Sequence, residues 1–218
     1  MRLALLGGSG RIGGHLLSWA LESGHEVQAL ARDPEALYRV RQPVAPGGPG
    51  SGSLVATAGD ALDAAAVAEV IRGTDAVLSA LGPRGAKSPD LLAGAARNIT
   101  AGMTQAGVRR LICVSAAGAF IQDDPDTGAL TKAILPRVLA KPFADTRQME
   151  AVIRASDLDW TLVRATRLVN TPGTGRYRVR PDYPPPQGRK IARADVADFI
   201  ERALLDQDWV HAAPSLGY

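Results

Sequence analysis

The chain has 218 residues, 46% of them hydrophobic, and a formal net charge of +3. That length and apolar content suit one α/β domain with its own core, and so small a charge makes no case for nucleic-acid binding. The lone cysteine, Cys113, excludes an internal disulfide framework, and no apolar run approaches the ~18 residues of a bilayer span. Arg2 followed by Leu3 to Leu6 is too short an apolar run for a signal peptide and ends in glycine, so the expectation is a cytoplasmic protein without a membrane partner.

Leu3 to Leu6 reads as a buried strand, followed by glycines at Gly7, Gly10 and Gly13. Ile12 to Glu22 is amphipathic, with Leu16, Leu17, Ala20 and Leu21 at helical spacing. Strand, glycine turn and helix in that order are the context of a dinucleotide-binding fingerprint. Gly7 permits the turn, Gly10 leaves room for a pyrophosphate, and Gly13 lets the helix pack against the strand. The free N–H groups of the helix start at Arg11 and Ile12 then face the phosphates.

Glu26 to Ala31 reads as the second strand. It ends at Arg32-Asp33-Pro34, where Asp33 caps a helix beginning at Pro34. A carboxylate at this strand end suits the ribose of NAD, whereas an arginine suits the 2′-phosphate of NADP. Arg32, flanked by Arg11, therefore points to NADPH/NADP, with a solvated loop charge as the alternative.

Residues 42–53, rich in proline and glycine, read as a surface connection. The third strand, Leu54 to Ala58, leads into Gly59-Asp60-Ala61-Leu62-Asp63 and a helix over Ala64 to Arg72 capped by Asp63. Asp60, beside Ala61, is placed either to accept from an adenine amino group or to serve as an ordinary turn aspartate. Asp75 to Leu81 is the fourth strand. The small Ala80 and Gly82, with Leu81 between them, let backbone approach the cofactor. A helix over Pro89 to Ala106 and a fifth strand over Arg110 to Ser115 follow. Ligands lie beyond the carboxyl ends of such strands, so Ser115 and Ala116 point towards the reaction site while Cys113 faces the core.

Phe120 to Gly128 is a polar loop. Helices over Thr131 to Ala140 and Ala144 to Ala155 are separated by Lys141-Pro142. Asp159 to Arg164 is the sixth strand, leading into Ala165-Thr166-Arg167. Leu168 to Gly188 is a long segment with five prolines and a short strand candidate at Tyr177 to Val179. A loop of this length is usually functional, so 166–190 reads as the substrate-side portion of a single nucleotide-binding domain. Tyr183 and the loop around it read as a prolyl surface loop with no catalytic role, with a lid as the alternative. Lys190 to Asp195 enters a last helix, Val196 to Leu205. The alternation predicts a Rossmann-type, doubly wound parallel sheet with a small C-terminal substrate-binding portion. His15, His25 and His211 are scattered, and their spacing indicates no metal site.

Several blocks together resemble an atypical short-chain dehydrogenase/reductase. They are Gly7-Gly-Ser-Gly-Arg-Ile-Gly13, Arg32, Gly59-Asp60, Asp75-Ala-Val-Leu78, Val114-Ser115, Met149-Glu150, Asp157 to Arg164, Thr174 to Tyr177 and Ile191 to Ala197. The resemblance is strongest to the NAD(P)H-binding group that contains flavin reductase/biliverdin-IXβ reductase and the NmrA-like proteins. It implies NADPH binding. Most short-chain dehydrogenases use a tyrosine and a lysine four residues later to move the substrate proton. Counting back from Glu150 puts Thr146 at the lysine position and Pro142 at the tyrosine position, and none of the four tyrosines has a lysine four residues on. The resemblance thus implies hydride transfer to a flavin, a quinone or another conjugated acceptor, with Ser115, Thr166 and Arg167 as catalytic candidates and Ala165 beside the cofactor. In the flavin reductase pattern a histidine stands where Arg167 stands here. Arg167 then either holds an anionic group or is bridged to Asp123 or Asp124. An NmrA-like sensor or scaffold reporting cofactor redox state to a protein partner is the alternative, and sugar-nucleotide epimerase or dehydratase chemistry is disfavoured.

Overall fold

The structure, a computed structural model, describes residues 1–40, 52–82, 90–122 and 124–218. Most of the predicted 42–53 connection, residues 83–89 and Asp123 lie outside these residues. Six strands run parallel: β1 (Arg2–Leu6), β2 (Glu26–Ala31), β3 (Ser53–Ala58), β4 (Ala76–Ser79), β5 (Arg110–Ala116) and β6 (Asp159–Ala165). The eight-stranded sheet has the order β3-β2-β1-β4-β5-β6-β10-β8, with β8 at Arg178–Pro181 and β10 at Pro214–Gly217.

Alternation along the central strands explains the layers. Leu3 and Leu5 face α1 (Arg11–Glu22) and α7 (Arg193–Leu205), whereas Ala4 and Leu6 face α3 (Ala64–Ile71), α4 (Leu91–Ala106) and α6 (Ala140–Arg154). Both strand faces are covered, so an uninterrupted apolar run such as Leu3–Leu6 is what this position requires. Cys113 lies in the second of these cores, as expected. Burial pushes its thiol up to about 12, which leaves it a packing residue rather than a nucleophile.

Helix starts follow the predicted chemistry in places. The Asp63 side chain accepts from the N–H groups of Ala65 and Ala66 and caps α3. Asp33 accepts from the Glu35 N–H at 3.1 Å and pairs with Arg39, at the start of α2 (Glu35–Val40).

The second half departs from expectation. α5 spans Ala129–Val138, and α6 begins at Ala140, so Lys141-Pro142 sits inside its first turn. Proline is tolerated there because first-turn N–H groups have no intrahelical partner. α7 starts at Arg193 rather than Val196. The sheet is not parallel throughout, because β8 pairs antiparallel with β10, which itself runs parallel to β6. A separate parallel pair joins β7 (Arg167–Val169) to β9 (Lys190–Ala192). The segment after β6 is therefore stitched at both ends. Asp195 also holds it, accepting from the backbone N–H of Thr174 at 2.8 Å and of Gly175 at 2.9 Å, and from the hydroxyl of Tyr218.

Candidate functional site

The chain order reverses between β1 and β4, and there the carboxyl ends of the strands open onto a cavity of about 800 Å³. This is where an open α/β sheet holds its ligand. The glycine turn forms one wall. Gly7 has φ +85°, and a Cβ there would stand 2.7 Å from the backbone of Ala80. A Cβ on Gly13 would lie 2.1 Å from the Gly7 carbonyl oxygen, so only glycine lets α1 sit this close to its strand. The turn closes with Gly10 N–H donating to Gly7 O at 2.9 Å.

Gly7, Gly10, Arg11 and Ile12 line the cavity; Gly13 backs the turn without lining it. Arg32, Asp60 and Ala61 line it on the β2–β3 side, and Ala80, Leu81, Gly82, Ser115 and Ala116 at the ends of β4 and β5. Arg32 is exposed, while the neighbouring Asp33 is turned into its own helix. Asp60 accepts from the Leu62 N–H at 2.9 Å, the turn geometry held open in sequence, and still lines the cavity. Three arginines, Arg11, Arg32 and Arg193, line the cavity with Asp60 as the sole carboxylate among the described residues, so it is electropositive. A glycine cradle with no space for side chains, set in an electropositive cleft, fits a phosphorylated dinucleotide.

Ser115 carries an arrangement that sequence reading missed. Its hydroxyl donates to Glu150 Oε1 at 2.6 Å. Glu150, on α6, is buried and held in a fork by Arg164 on β6, with Nε to Oε1 at 3.0 Å and Nη2 to Oε2 at 2.7 Å. The Arg164 guanidinium lies 3.7 Å from the centre of the Phe120 ring and donates to the Asp182 carbonyl at 2.6 Å. A buried carboxylate gripped by arginine is a pure acceptor. The Ser115 proton is thus committed to Glu150, which leaves Oγ an acceptor at the cavity lining. Glu150 and Arg164 both lay in the sequence blocks that carried the resemblance. Their partnership spans two elements, and no spacing announces it.

The α6 wall is apolar: Leu139, Pro142, Phe143 and Thr146 line the cavity there. Pro142 and Thr146 are the two positions counted back from Glu150. The Thr146 hydroxyl donates to the Pro142 carbonyl at 2.8 Å. No tyrosine, lysine or histidine lines the cavity among the described residues.

Ala165, Thr166 and Arg167 are not brought to the cavity lining. Ala165 is buried in the core. The Thr166 hydroxyl donates to the Leu216 carbonyl at 2.9 Å, because the unforeseen β10 runs alongside. Arg167 is exposed. It is not bridged to Asp124, whose carboxylate faces Arg180 at 3.6 Å. Tyr183 lies against Arg180 and not over the cavity, 5.6 Å from ring centre to guanidinium. Leu168 and Arg193 line this side instead. Among the described residues no three histidine, cysteine, aspartate or glutamate side chains group as metal ligands, and no helix is long and apolar enough to cross a membrane.

The family described as NAD(P)H-binding matches residues 7–207. The chain belongs to that family. It is 29% identical over 216 residues to YhfK of Bacillus subtilis (strain 168), named an uncharacterized sugar epimerase, covering 94% of this chain and 88% of YhfK. Among solved structures it is similar to a candidate NAD-dependent epimerase/dehydratase from Bacillus halodurans, with TM-score 0.80, 24% identity, and coverage of 100% of this chain and 94% of the other. It is also similar to ChuY, an anaerobilin reductase from Escherichia coli O157:H7, with TM-score 0.75, 23% identity, and coverage of 99% and 96%. The chain thus combines membership of the NAD(P)H-binding family with a Rossmann-type fold, built on the glycine turn and switch-point cavity described above.

Proposed function

We propose that this protein is an NADPH-dependent reductase that delivers hydride to a flavin, a quinone or a similar conjugated acceptor. The observation that most supports the reading is the cavity wall: among the described residues it holds no tyrosine or lysine, and Pro142 and Thr146 line it at the two positions counted back from Glu150. Bound in the cavity, reduced nicotinamide supplies the hydride. Arg32 receives the ribose 2′-phosphate, and the glycine turn takes the diphosphate. Ser115, with its proton held by Glu150, accepts a hydrogen bond from an N–H or O–H of the bound ligands. Leu139, Pro142 and Phe143 offer a flat, water-excluding wall against which an aromatic acceptor stacks. A quinone or flavin takes two electrons with the hydride and its second hydrogen as a proton from solvent, so the protein needs no acid of its own. An alcohol or a sugar carbon centre, as an epimerase requires, must lose a proton to a base as hydride leaves. None of the described residues on the wall is suited to that task.

Steady-state oxidation of NADPH with FMN, riboflavin and simple quinones tests this reading. Turnover with at least one supports it; tight NADPH binding with none contradicts it and favours a redox sensor. One observation favours the sensor: Leu130, Ile134 and Val138 follow one face of α5 with 72%, 50% and 72% of their surface exposed, an apolar stripe of the kind that meets a partner. The sensor reading predicts NADP⁺ bound as tightly as NADPH, with no hydride transfer.

A further inference from the structure

Arg11 opens α1 directly behind Gly10, and Arg193 opens α7, which packs on the same face of the sheet as α1. Both line the cavity. Their guanidinium groups converge on one neutral atom, Asn170 Oδ1, with Arg11 Nη1 at 3.3 Å and Arg193 Nη1 at 2.6 Å. Among the described residues neither makes an ion pair, whereas seven other arginines do. Two like charges held together by a single amide oxygen repel, and an anion between them removes that cost. Arg193 feels the crowding: burial first, and the neighbouring Arg11 second, make its protonated form less favourable than usual.

We propose that Arg11 and Arg193 form an anion-binding clamp at the rim of the cavity, closing on phosphate oxygens of a bound ligand while Asn170 holds the pair in its absence. The clamp bridges the nucleotide-binding half of the chain and the segment beyond β6. Asn170 lies just after β7, at the start of that segment. The phosphates belong either to the cofactor, whose diphosphate lies by the start of α1 in the reading above, or to a phosphorylated acceptor. The chemistry recognised is the same.

Calorimetry with NADPH, FMN and riboflavin on wild type, Arg11→Gln, Arg193→Gln, Arg193→Lys and Asn170→Ala tests the proposal, with melting temperature read for each. If the cofactor supplies the anion, each glutamine variant weakens NADPH about tenfold, the lysine variant restores most of the loss, and Asn170→Ala tightens binding by removing the internal competitor. If the acceptor supplies it, NADPH is untouched and FMN weakens about tenfold while riboflavin does not. Arg193→Gln that melts like wild type and binds all three ligands equally well overturns the clamp. The proposal rests on the nucleotide-binding reading, and the two fail separately. Wild type that binds no NADPH overturns that reading, whereas wild type that binds it, with indifferent arginine variants, overturns only the clamp.

Discussion

The two ends of this chain solve the same problem differently. The amino-terminal half, from β1 through β5, builds its share of the cavity from backbone: a left-handed Gly7, a Gly13 with no room for a Cβ, and the bare ends of β4 and β5. The carboxyl-terminal third is held beside it by side chains that reach across elements: Glu150 to Arg164 and Ser115, Asp195 to Thr174 and Tyr218, Asn170 to Arg11 and Arg193. A phosphate cradle needs backbone N–H groups and clearance, which a short glycine motif supplies locally. The segment beyond β6 has no such local motif and is held by polar contacts between distant residues.

Substitutions that separate these two modes should differ in size. Glu150→Ala leaves Arg164 buried without its carboxylate and should cost about 3–5 kcal/mol of stability by urea unfolding, the largest effect expected. A loss under about 1 kcal/mol would mean that this ion pair does not hold the second region together. Gly13→Ala forces a methyl group against the Gly7 carbonyl. It should cost about 1–3 kcal/mol and weaken NADPH at the same time, coupling fold and binding as the first region does. Arg32→Glu should leave stability unchanged while weakening NADPH about tenfold or more, with NADH little affected; equal loss of both would refute the role given to Arg32.

The smallest effect is a pH dependence in the second region. Burial, then the neighbouring Asp198, raise the Glu201 carboxyl from its ordinary 4.5 to about 7. Arg202 opposes the shift and Glu22 of α1 adds to it. A raised carboxyl favours the protonated form, so its contribution to stability is full below about pH 4.5 and fades as the pH climbs through about 7. Glu201→Gln should therefore raise the melting temperature at pH 8, by less than about 2 °C for a partly exposed group, and not at pH 4. An equal gain at both values would remove ionisation as the cause.

The same contrast explains what could be read from the residues alone. Strand, glycine turn and helix lie within the first 22 residues, and their periodicity and clearance are local properties. β2, α3 and α4 came within a few residues of expectation for the same reason. β10 escaped because Pro214-Ser-Leu-Gly217 is a four-residue strand, buried by β6 and β8 rather than by any pattern of its own. That one strand draws the Thr166 hydroxyl onto Leu216, away from the place the sequence reading gave it. Pro142 looked like a break between helices. Its position in the first turn of α6 depends on where the helix starts, which neither composition nor spacing marks. Arg193 stood in a block already singled out, but its convergence with Arg11 joins residues at opposite ends of the chain.

Titration of the protein with NADPH and NADH by calorimetry tests the central claim most directly, because every part of the account requires a pyridine dinucleotide on the Gly7–Gly13 turn. One NADPH should bind per chain, with NADH at least about tenfold weaker for want of the phosphate that Arg32 would receive. Absence of heat with either nucleotide at millimolar concentration would contradict it.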